Sequence, residues 1–65
     1  MRGAILMFDA HQGLGEIEAD DGTRYPFHCT AIADGTRDIP TGVSVAFELT
    51  PGLSGRWEAT AIQRA

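Results

Sequence analysis

Gly13-Leu14-Gly15-Glu16-Ile17, followed across the turn Asp20-Asp21-Gly22 by Tyr25-Pro26-Phe27-His28-Cys29-Thr30-Ala31-Ile32, is the stretch on which the fold turns. Two glycines at spacing i, i+2 argue against a helix, where each is worse than alanine by about 1 kcal/mol. They suit a bent strand that something approaches closely. Gly15, Ile17 and Ala19 then point one way and Glu16 and Glu18 the other, which is the two-residue period of a half-buried strand. Across the turn, Tyr25 and Phe27 share a face in the same manner.

Working outward, residues 5–8 form a first apolar run, and Val43, Val45, Phe47 and Leu49 alternate with Ser44, Ala46 and Glu48. The glycine- and proline-bearing stretch 51–55 reads as a loop, and 56–62 as a last strand with Trp57, Ala59 and Ala61 on one side. That parity predicts Trp57 as an indole capping the core, ahead of the reading in which it is a surface platform. Residues 33–42 show no helical period, and a short helical turn is expected near Thr30, Ala31 and Ile32. Five short antiparallel strands with no long helix predict a barrel, because closure removes exposed sheet edges. A five-stranded OB-like barrel is the economical form and an SH3-like barrel its competitor. Ile5, Ile17, Tyr25, Phe27, Ile32, Val45, Phe47 and Leu49 are the expected core.

With 65 residues the chain has room for a single domain, 1–65. A chain of that size buries only about 60% of its unfolded surface, so a binding surface fits it more easily than a supported catalytic cleft. No enzyme is expected. All five basic residues are arginine, set against nine carboxylates, for a net charge of −4, an unfavourable start for holding phosphates. The lone Cys29 cannot form an internal disulfide, and the apolar run 4–8 is too short for a signal or membrane-spanning segment, so the cytoplasm is the expected setting. His28 and Cys29 are strand neighbours that face opposite ways, and no paired Cys/His spacing accompanies them, so no metal or other cofactor is expected. The acidic run Glu16, Glu18, Asp20, Asp21 reads as a solvated strand face. Phosphate-loop, nucleophile-elbow and dinucleotide fingerprints are missing, which leaves a small-molecule substrate without a site.

The opening stretch resembles, in order and spacing, the paired motifs K-G-F-G-F-I and V-F-V-H-F-S-A-I of the bacterial cold-shock protein family. The likeness runs nearly the whole chain, with Gly3, Ile5, Phe8, Gly13, Gly15, Ile17, Gly22, His28, Ala31, Ile32, Gly42, Val45, Phe47 and Gly55 at positions of the same type. It favours the OB-like barrel. It also implies that single-stranded RNA or DNA is the partner, its bases stacked on rings and its backbone held by a basic rim. The chain departs from the family at most of those rings. The first-strand K-W-F-N becomes Leu6-Met7-Phe8-Asp9; in the first motif Gln12 replaces the lysine and Leu14 and Glu16 the two rings; in the second, Pro26 and Cys29 replace phenylalanines. The resemblance therefore implies Phe8 and His28 as stacking rings and Met7 and Leu14 as apolar platforms; Trp57, from its own place on the last strand, is a new platform if it is outward. Arg24 and Arg56 are placed as phosphate contacts from the positions of charge. An alternative is that the same face now binds a protein, or a second copy of the chain through a barrel edge at the third or fourth strand.

Overall fold

Where the sequence alternates, the chain is extended. A computed structural model describes residues 1–36, 38–52 and 55–65; Arg37, and Leu53 and Ser54 of the expected 51–55 loop, lie outside the described residues. The strands are β1 (Arg2–Asp9), β2 (Leu14–Ala19), β3 (Arg24–His28), β4 (Ser44–Pro51) and β5 (Trp57–Arg64), with one 3-10 turn at Cys29–Ala31. They form a single antiparallel sheet in the order β3-β2-β1-β4-β5. The sheet coils until β3 lies beside β5, and a parallel bridge from Ile32 to Ile62 ties the segment after the 3-10 turn to β5. This is the expected five-stranded OB-like barrel.

Ile5, Ile17, Phe27, Ile32, Val45 and Phe47 fill the interior as expected, together with Ala19, Ile39, Ala59 and Ile62. Tyr25 and Leu49, expected inside, are half-buried at its margin, where the Tyr25 ring leans on Phe47 with centroids 6.0 Å apart. Ile39 escaped the sequence reading because it lies in an irregular segment that carries no period to betray it.

Two register shifts decide which side chains face out. On β1, Ile5 pairs with Ile17 but Met7 pairs with Glu16, so Leu6 is an extra residue. Beyond this bulge the alternation inverts: Met7 faces out although it shares parity with the buried Ile5. On β5, Thr60 pairs with Glu48 and Gln63 with Ala46, so Ala61 and Ile62 together oppose Phe47 alone. Ala61 takes φ 50 there, a left-handed conformation for a residue with a Cβ. Strict alternation assigned Ala61 inward; the bulge turns it out and brings Ile62 in. Trp57 keeps Ala59's parity but sits at the outermost register pair, opposite Pro51, past the end of the core, and is 57% exposed. The core-capping reading of Trp57 is thereby corrected.

β3 is an edge of the hydrogen-bonded ladder. Cys29 N–H donates to the Gly13 carbonyl at 2.8 Å and Ala19 N–H to the Thr23 carbonyl at 2.7 Å, marking the two ends of the β2–β3 ladder. Its bonded positions on β3 are therefore odd-numbered, and Pro26 falls where the nitrogen points away from β2. The missing donor takes nothing from the sheet. Of the two edges expected to accept a partner strand, β3 is an edge of the ladder, whereas β4 is not, because it lies between β1 and β5.

Candidate nucleic-acid interface

The outer face of β1–β2–β3 is built from two rows. Met7, Glu16 and Pro26 are register partners in one; Asp9, Leu14 and His28 make the other. Between them, on the inner side, lie Phe8, Gly15 and Phe27. Gly15 is required there, because a Cβ would lie 2.7 Å from the Phe27 Cε1 and 2.8 Å from the Met7 carbonyl. Its absence lets the rings of Phe8 and Phe27 lie parallel, 4° between planes and 5.7 Å between centroids. The β1–β2 turn is fixed by Asp9. Its Oδ1 accepts from the backbone N–H of His11 at 3.0 Å and of Gln12 at 3.2 Å, and Gly13, at φ 71, donates to the Asp9 carbonyl at 2.8 Å.

The rows border a shallow cleft of about 310 Å³ lined by Met7, Asp9, Gln12, Leu14, Gly15, Glu16, Pro26, Phe27, His28 and Glu58. Met7 and Leu14 are its exposed apolar floor, at 45% and 40% exposure. Glu58 reaches it from β5, which barrel closure sets beside β3. Gly52 makes room for that side chain: a Cβ at 52 would lie 2.7 Å from the Glu58 Cδ. The cleft thus joins an apolar floor to the carboxylates of Asp9, Glu16 and Glu58, with His28, among the described residues, its one group able to carry positive charge. Such a surface offers dispersion and hydrogen-bond acceptors, and little to attract a phosphate.

Of the residues singled out in the sequence, the structure brings Met7, Leu14 and His28 together in the cleft. Phe8 stands behind them, half-buried against the core. Arg24 shares the outward parity of His28 but sits at the other end of β3, with its Nε 3.6 Å from Glu18 Oε2 in an exposed ion pair. Arg56 and Trp57 are exposed at the start of β5, outside the cleft lining. Glu58 was missed. Alternation along β5 says only that Glu58 opposes Ala59 in direction, and nothing local says that β5 closes onto β3. Among the described residues no group of three or more His, Cys, Asp or Glu could hold a metal, and no helix is long and apolar enough to cross a membrane.

No family model matches the chain. Among known proteins it is similar to the cold shock-like protein CspC of Bacillus cereus, 33% identical over 64 residues that cover 97% of this chain and 98% of the relative. The cold shock protein CspC of Bacillus subtilis is 32% identical over 65 residues, covering 98% and 97%. The cold shock-like protein CspE of Buchnera aphidicola is 34% identical over 64 residues, covering 95% and 93%.

Proposed function

Since the chain belongs to the cold-shock protein family, we propose that it binds single-stranded RNA or DNA weakly, as a single non-catalytic module that needs no cofactor. The observation that carries this reading is the exposed floor of Met7 and Leu14 with His28 beside it, on the outer face of β1–β3. Bases would lie on that floor and on His28, with the half-buried Phe8 offering only its exposed part and Trp57 as an outlying ring. Arg24 and Arg56 would meet the backbone. In this reading the protein holds bases unpaired in the cytoplasm, acting as an RNA chaperone or a regulator of transcription or translation.

Weakness follows from the residues. Stacking on an aromatic side chain is worth roughly 1–3 kcal/mol per base. Leu14, Glu16, Pro26 and Cys29 stand at ring positions of the family motifs, so about 4 kcal/mol or more is missing, close to three decades in affinity. The salt dependence should be shallow, because its slope follows the number of phosphates neutralised and, among the described residues, no arginine lines the cleft. Titration of labelled oligothymidine and a mixed-sequence RNA, at low and moderate salt, tests the reading; no binding at any concentration would refute it. A second reading, in which the same floor is covered by another protein or a second copy, is favoured by the exposure of Met7 and Leu14 beside Pro26. Light scattering across a concentration series separates the two: a dimer indifferent to oligonucleotide supports the second.

A further inference from the structure

We infer that Glu16, with Glu58 lining the same cleft from β5, makes this surface select guanine over thymine and uracil. The inference rests on the nucleic-acid reading above and concerns which base that surface accepts. Glu16 is half-buried mid-row between its register partners Met7 and Pro26, and Glu58 enters the same cleft from β5. Among the described residues neither carboxylate makes an ion pair or a hydrogen bond; the ion pairs present are Arg24–Glu18 and Arg64–Asp34, and Asp9 Oδ1 is occupied by its turn. Two acceptor-only groups that no described residue occupies therefore border a floor on which a base would lie flat.

A single-stranded base exposes its Watson–Crick edge to such groups. Guanine presents N1–H and N2–H side by side, two donors spaced for one carboxylate. Cytosine and adenine each present one amino group beside a bare ring nitrogen. Thymine and uracil flank a single N–H with two carbonyl oxygens, which a carboxylate repels. The same negative charge that weakens phosphate contact thus becomes a filter on the base edge. A bidentate pairing of this kind discriminates by roughly tenfold or more.

The test measures binding of labelled oligothymidine and of the same oligonucleotide with one central guanine, adenine or cytosine, to the wild-type protein and to Glu16→Gln and Glu58→Gln. The expected result for the wild type is binding about tenfold tighter with guanine than with thymine, adenine and cytosine falling between. Glu16→Gln should remove most of that ratio, by weakening the guanine oligonucleotide and tightening oligothymidine, and Glu58→Gln should reduce it less. Both substitutions are at solvent-reached positions, so an unchanged circular dichroism melt confirms that each variant is folded. Equal wild-type affinity for all four oligonucleotides overturns this inference while leaving the nucleic-acid reading standing. A guanine preference that survives both substitutions overturns the assignment to these carboxylates, and no binding of any oligonucleotide overturns both readings together.

Discussion

Glu16 occupies the middle of the outer face, where the family's motif carries a ring, and this one position combines a lost platform with a charge that phosphates avoid. Glu16→Phe is expected to tighten oligothymidine binding by roughly 1–3 kcal/mol for the base it contacts. Part of that gain is relief of repulsion, so it should shrink as salt rises. Leu14→Phe adds a ring without altering charge, and its gain should not change with salt beyond that of the wild type. Oligonucleotide titrations of both variants at two ionic strengths check the pair; flat affinity in both would mean that the face touches no base. At this scale the sequence was informative about identity and poor about neighbours. Met7, Leu14 and His28 were recognisable from motif position, whereas Glu58 enters the cleft only because the barrel closes.

Among the elements, β5 shows how far alternation carries and where it stops. Ala59 is buried as its parity requires, yet one bulge later the parity reverses, leaving Ala61 at φ 50 and Ile62 in the core. A period of two cannot reveal an inserted residue, because Ala61 and Ile62 are both acceptable on either side of a strand. The same holds at Leu6 on β1. The β5 bulge has a measurable signature. A left-handed backbone at a residue with a Cβ is disfavoured by about 1–2 kcal/mol, which glycine relieves. Ala61→Gly should therefore leave stability unchanged or raise it by up to about 1 kcal/mol, against the loss of roughly 0.5–1 kcal/mol that glycine brings to an ordinary strand interior. Ala59→Gly, at a buried and regular position, is the contrast and should lower the denaturation midpoint. Urea unfolding of the two variants decides it, and equal losses would argue against the bulge.

For the whole molecule, the closed barrel was legible because its turns carry glycine and its strands are short and alternate, and its seam was not, because nothing local encodes that β5 meets β3. Two acidic turns add a pH dependence. Asp21 and Asp34 are held below the usual carboxylate range, each first by the backbone N–H two residues on, of Thr23 and Thr36, and then by that residue's side chain, with Arg64 adding attraction for Asp34. A carboxylate that is more acidic folded than unfolded contributes stability above its unfolded value and loses it as pH falls through the folded one. The melting temperature should thus decline on acidification below the ordinary aspartate range near 3.8, and Asp21→Asn with Asp34→Asn should flatten that decline. Both groups are fully exposed, so the slope is expected to be shallow. The proline of β3 bears on a different hazard. When thermal motion parts β3 from β5, the strand's free edge becomes a template on which another chain could crystallise its own strand, and growth by that route ends in fibres. Pro26 removes the central donor from that template while leaving the native ladder intact, so it acts on the fate of opened molecules and hardly at all on how often they open. Pro26→Val should therefore leave the unfolding midpoint nearly unchanged and shorten the lag before thioflavin-positive aggregate forms on prolonged warming, which makes this residue a guardian of solubility over a lifetime of openings.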